Sequence, residues 1–149
     1  MHRVLVFAVL LFVAAVVTEV AAADEVTYLD AAKVQAAFAK GVPLLEVPGY
    51  KIHASRRDAP GMAEVHEVDT DIIYVLEGQA TFVTGGDVVD GKATVAAEVR
   101  GAAIHGGETR MLAKGDVVVV PNGTPHWFRE VEGPFLYYVV KVPASGGGK

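Results

Sequence analysis

The residues able to bind a metal or move a proton sit in two stretches about 60 residues apart: Glu64-Val-His66 with Asp71, and a segment ending at His126. In an extended strand, residues two apart point to the same side. Glu64 and His66 therefore share one face, while Val65 and Glu67 share the other. Asp71 follows five positions after His66, across a Val-Asp-Thr stretch that reads as a turn or bulge, and opens the apolar run Ile72–Leu76. The second stretch is Gly115-Asp-Val-Val-Val-Val-Pro121-Asn-Gly123-Thr-Pro-His126. It reads as a turn, a buried strand and a reversal at which Gly123 can supply a positive φ. Pro125 restricts the backbone just ahead of the histidine. Such pre-organisation suits a metal ligand, which must be held within a fraction of an ångström. Together the two stretches suggest a small β-barrel with metal ligands at its mouth. Glu130, four residues beyond His126 and counted on the same strand face, is a candidate to orient a ligand or act as a base.

The elements that would carry these residues are mostly strands. Short segments rich in Val, Ile, Thr, Tyr and Phe alternate with Gly, Pro and Asp from Leu44 onward. The expected strands are Leu44–Val47, Tyr50–Arg56, Ala63–Glu67, Ile72–Leu76, Ala80–Thr84, Val88–Val89, Thr94–Val95, Arg110–Leu112, Val117–Val120, His126–Glu130 and Leu136–Val142. Asp90-Gly91 between valine pairs reads as a two-residue hairpin turn. Asp30 to Lys40 reads as one short helix, capped by Asp30, stopped by Gly41 and Pro43, with Val34, Ala37 and Phe38 on one face. Residues 100–107 fit no element and are assigned to a loop at the rim. Val117–Val120 has no polar face, so two sheets or a partner subunit should cover it on both sides. Many short strands with one leading helix indicate an all-β sandwich or closed barrel.

Met1-His-Arg3, an unbroken apolar run from Val4 to Val17 and the small residues Ala21 to Ala23 read as a secretory signal peptide, 1–23. The run has 14 residues, short of the roughly 20 of a spanning helix, so no stable membrane span is expected after cleavage. Cleavage after Ala23 would leave 126 residues in the periplasm or outside the cell. The expected division is a helical segment 24–43, a barrel domain 44–143 and a glycine-rich flexible tail 144–149. Loss of Arg3 and Glu19 leaves the net charge at −5. A mildly acidic chain without a basic cluster excludes nucleic acid as a partner. The absence of cysteine rules out disulfides and any thiolate metal site.

The spacing of the second stretch resembles the cupin superfamily, specifically a small single-domain cupin. Gly115, Pro121, Gly123 and His126 keep every interval of that family's second motif, with Glu130 in place of its asparagine. Its first motif is matched by His66 and Gly78, with Asp71 six residues before that glycine. Glu64 stands where the family has its first histidine, Asp71 replaces a glutamate, and the leading glycine is displaced to Gly61. The resemblance spans roughly Tyr50 to Val142. It implies a double-stranded β-helix (jelly-roll) barrel, with His66, Asp71 and His126 as metal ligands and Glu64 as a fourth. Two histidines with carboxylates form a hard, nearly neutral site for a divalent cation, favouring Fe or Mn, with Zn or Ni as alternatives. Pairing of such barrels implies a homodimer. The alternative is a metal-free polar pocket, in which Glu64 and Asp71 would have to share a proton.

Two function classes follow. One is an exported metalloenzyme acting on a small oxygenated substrate: a dioxygenase first, an isomerase or lyase next, with Glu64 or Glu130 moving the proton. The other is a non-catalytic barrel that binds or senses a small acid or sugar. A metal serving stability alone is a third possibility. His53 is assigned to surface or core, and His105 to an exposed loop. Arg56-Arg57 is assigned to solvent, with one guanidinium holding a carboxylate at the rim as the alternative. Tyr74, Phe82, Trp127, Phe128, Tyr137 and Tyr138 are assigned to core or dimer contacts, and some of Tyr74, Phe128 and Tyr138 to the pocket wall.

Overall fold

The computed structural model describes residues 25–95 and 97–144. The expected signal segment and all of the expected tail but Ala144 lie outside the described residues. One helix, α1 (Ala31–Lys40), precedes eleven strands. The helix starts where Asp30 accepts a hydrogen bond from the Lys33 amide at 2.9 Å. It ends at Gly41, whose φ of 64° lets its amide return to the Ala37 carbonyl. Ala37 is buried, and Phe38 meets Tyr138 edge-on with ring centroids 4.9 Å apart. Through these two residues the helix packs against the barrel. No described helix is long and apolar enough to cross a membrane.

The strands are β1 (Pro43–Val47), β2 (Tyr50–Arg57), β3 (Ala63–His66), β4 (Asp69–Thr84), β5 (Asp87–Val89), β6 (Lys92–Val95), β7 (Glu98–Gly101), β8 (Ala103–His105), β9 (Glu108–Ala113), β10 (Val117–Val120) and β11 (His126–Pro143). Nine form one continuous sheet, and β5 with β8 forms a second, two-stranded one. All the pairings are antiparallel. The frame is the pairing of β4 with β11, which runs from His126 opposite Thr84 to Pro143 opposite Asp69. One end of the barrel interior is apolar: Ile73, Val75, Phe82, Phe128, Phe135, Tyr137 and Val139 form one buried cluster. Burying each of its large side chains contributes about 2–3 kcal/mol. Val83, Ala63 and Ile104 form a smaller cluster, with Val88 and Trp127 packed against it under the two-stranded sheet.

Several expectations change. The segments expected as Ile72–Leu76 and Ala80–Thr84 are one strand bent at Gly78, and those expected as His126–Glu130 and Leu136–Val142 are one strand passing through Gly133-Pro134. Asp90-Gly91 does not close a hairpin, because β5 pairs with β8 and β6 pairs with β7. The stretch 100–107 expected as a rim loop holds the end of β7 and all of β8; Glu64 pairs there with Arg100, and His66 pairs with Glu98 at the start of β7. Val117 and Val119 are 61% and 57% exposed, so no second sheet among the described residues covers β10.

Candidate metal centre

Strand β3 turns Glu64 and His66 into the barrel, as the two-residue alternation predicts. His126, the first residue of β11, lies directly opposite Glu64 in the sheet. Its approach is fixed from two sides. The Gly123 amide donates to the His66 carbonyl at 2.8 Å, and the Gly85 amide donates to the Pro125 carbonyl at 2.8 Å. Gly123 has φ 75°, the conformation its place in the reversal requires.

Glu64, His66 and His126 each bring one donor atom within 4.8 Å of the others. Glu64 Oε2 is 3.7 Å from His66 Nε2 and 3.9 Å from His126 Nε2. The imidazole centroids are 5.1 Å apart. Donors bound to one ion at about 2.1 Å lie about 3.0–3.4 Å apart, and the two distances from Glu64 exceed that by only a few tenths of an ångström. The His126 tautomer agrees: Nδ1 faces the Thr124 carbonyl at 3.1 Å. Donation from Nδ1–H leaves the Nε2 lone pair aimed at the group. Burial holds the His126 pKa below its ordinary value, against the opposing pull of that hydrogen bond. The donor set therefore fits a divalent cation.

Asp71, expected as a ligand with His66 and His126 and with Glu64 added, stands beside this group of three. Its Oδ2 lies 3.6 Å from His66 Nε2. Both its oxygens, however, accept hydrogen bonds from Lys141 Nζ at 2.7 and 2.8 Å. The cause is register, since β4 and β11 place Asp71 directly opposite Lys141. Glu130 also departs from expectation. The pairing slips between Phe128 and Glu130, and this bulge breaks the alternation counted from His126. Glu130 is exposed and accepts a hydrogen bond from Thr81 Oγ1 at 2.8 Å. It does not join the cluster.

The group opens on a cavity of about 540 Å³. Lys51, His53, Ser55 and Arg57 line it from one face of β2, joined by Glu98 and Arg100 from β7 and by Phe128, Tyr137 and Lys141 from β11. Arg100 Nη1 lies 3.2 Å from Glu64 Oε1, and its Nε donates to Glu98 at 2.6 Å. Burial lowers the His53 pKa, and its Nε2 has no hydrogen-bond partner among the described residues. Arg57, Arg100, Lys141 and His53 were not assigned to this site from sequence. For β2 the signal was present: Lys51, His53, Ser55 and Arg57 alternate with Ile52 and Ala54. His105 is exposed, as expected, but on strand β8 rather than in a loop, and Arg56 is exposed and paired with Asp58.

The sequence matches the family model described as Cupin over residues 20–146. The chain belongs to the cupin family. No curated protein matches its sequence. Among solved structures, this cupin is similar to a Bacillus halodurans protein, with 13% identity, a TM-score of 0.58, and 83% of this chain and 86% of that chain covered. It is also similar to a hydroquinone 1,2-dioxygenase crystallised in complex with Cd²⁺ and 4-hydroxybenzonitrile, with 12% identity and a TM-score of 0.51, covering 71% of this chain and 64% of that one. A cupin protein from Bacteroides fragilis shares 16% identity at a TM-score of 0.49, over 73% and 80% of the two chains. The first two likenesses establish the shared fold, the all-β jelly roll that the resemblance implied.

Proposed function

We propose that this cupin is an exported metalloenzyme that holds a divalent cation on Glu64, His66 and His126 and acts on a small oxygenated molecule in the adjoining cavity. The observation carrying this reading is the convergence of three donor side chains from two distant segments at one wall of a 540 Å³ space. Iron or manganese suits the two-imidazole, one-carboxylate set best, with zinc or nickel next. Bound there, such an ion would supply oxygen activation if redox-active, or polarisation of a substrate carbonyl if not. Oxygenation is the first choice of reaction and isomerisation or elimination the second; a Cd²⁺-containing dioxygenase of the same fold supports that order.

Within this scheme Glu64 and the two imidazoles bind, and the apolar floor of Phe128 and Val139 excludes water below the substrate. Proton handling falls to Asp71, the carboxylate beside His66 that the metal group leaves out. The leader-like residues 1–23 support export, and the exposed valines of β10 support association with a second copy of the chain.

Elemental analysis of the protein purified from its own compartment tests the reading, alongside His66→Ala and His126→Ala. About one equivalent of metal in the wild type and loss of at least 90% of it in both variants is the expected result, since each removes one of three ligands. Oxygen uptake by the iron-loaded form then separates an oxygenase from an isomerase or a non-catalytic binder. Full metal retention by both variants would remove the site.

A further inference from the structure

Arg57 is the cavity's one fixed guanidinium, among the described residues, whose terminal donors are left unspent. Its Nε donates to the buried Tyr137 hydroxyl at 3.0 Å. Its central carbon sits 4.5 Å from the centre of the Phe128 ring, a cation–π contact. A Cβ at position 61 would overlap Arg57 Nη1, so the absent side chain of Gly61 is the space the guanidinium occupies. Gly61 cannot drift from there: its carbonyl accepts from Trp127 Nε1 at 2.8 Å, and its amide donates to the Phe128 carbonyl at 3.2 Å. These constraints fix the plane of the fork while consuming only Nε. The nearest carboxylate oxygen, Glu64 Oε1, is 3.9 Å from Nη2, beyond hydrogen-bond reach.

The other cations around the cavity are committed. Arg100 is held by Glu98 and Glu64, Lys141 by Asp71, and Arg56 by Asp58. Lys51 lines the cavity but is exposed and has no such fixed geometry. A planar fork with free terminal donors matches a carboxylate bidentately. Glu64 bridges the two features, with Oε1 near Arg57 and Oε2 near both imidazoles. The fork and the two imidazoles thus face opposite oxygens of one carboxylate.

We infer that Arg57 anchors the carboxylate of the cavity's ligand, and that the ligand is a small carboxylic acid bearing a hydroxyl or oxo oxygen on the adjacent carbon. This rests on the proposed reading of the cavity as a ligand site. It adds the substrate class and the residue that selects it. The adjacent oxygen reaches the Glu64, His66 and His126 group while the carboxylate stays on Arg57.

The test titrates lactate, and lactamide as its uncharged counterpart, into the full-length protein with and without Mn²⁺. Wild type, Arg57→Lys and Gly61→Ala are compared by calorimetry and by NMR of arginine Nε–H groups. Mn²⁺ binding is measured separately by electron paramagnetic resonance. The wild type is expected to prefer lactate, with the Arg57 Nε–H resonance shifting on its addition. Both variants should lose about tenfold or more in lactate affinity, the range for a charge-assisted contact, and keep Mn²⁺ affinity within about twofold. Lactate binding no tighter than lactamide in the wild type overturns the inference, as does unchanged lactate affinity in both variants. A wild type that binds no Mn²⁺ yet prefers lactate through Arg57 would sink the metal reading and leave this one standing.

Discussion

Asp71 is only 4% exposed, and a carboxylate at that depth is stable only when its charge is answered. Lys141 answers it with one ammonium reaching both oxygens. Removing one partner of a buried ion pair leaves the other uncompensated, at a cost of about 3–5 kcal/mol, whereas replacing both with apolar groups can be nearly neutral. Lys141→Met is therefore expected to lower unfolding free energy by about 3 kcal/mol in urea titration. Lys141→Met combined with Asp71→Leu should recover most of that loss. A single variant as stable as the wild type would mean that Asp71 does not depend on Lys141. The same pair explains why sequence alone did not reveal the partner of Asp71. Its partner lies 70 residues away, and only the β4–β11 register brings the two together. Glu64 and His66 were legible because strand alternation is local, and His126 because Gly115, Pro121, Gly123 and Pro125 fix its path. Arg57 was harder to place, since the hydroxyl that orients it is 80 residues on.

Two glycines of the motif spacing do different work, Gly78 within β4 and Gly115 in the turn between β9 and β10. Gly78 lies where β4 bends against β11. A Cβ there would meet the carbonyl oxygens of Pro134 at 2.6 Å and Glu132 at 2.9 Å, on a backbone with φ +79°. Gly115 has φ +96° but nothing within 4 Å of such a Cβ. Left-handed φ costs a non-glycine residue about 1–2 kcal/mol, and a backbone clash adds to that. Gly78→Ala should accordingly destabilise by about 3 kcal/mol or more, and Gly115→Ala by about 1 kcal/mol, in the same urea measurement. Equal effects would show that the two strands do not approach this closely at the bend. Glycine also limited what the sequence revealed about elements. Gly78 and Gly133-Pro134 read as breaks, so two long strands were taken as four short ones. Gly101, Gly106 and Gly107 masked β7 and β8, although β7 supplies Arg100 beside Glu64.

For the whole molecule, the outer face of β10 is an uncovered apolar surface among the described residues. Val117 pairs with Tyr74 and Val119 with Ile72, and all four side chains are exposed. Strand β10 pairs with β4 alone among the described elements. An edge strand with no charge or proline within it invites another chain. An exposed apolar edge of this kind can be covered by a second copy of the chain across a two-fold axis. The same strand leads through Pro121 and Gly123 to His126, so covering it would also steady one wall of the proposed metal group. The wild type is therefore expected to sediment as a dimer at micromolar concentration, and Val119→Glu as a monomer. An exposed valine changed to glutamate leaves the barrel core untouched, so the variant should keep its fold by circular dichroism. Its metal affinity should weaken by a few-fold, because the loop before His126 loses its support. Identical sedimentation of the two proteins would exclude this face as the contact. A monomeric wild type would leave the barrel to hold His126 in place unaided, through the Gly123 and Pro125 backbone hydrogen bonds.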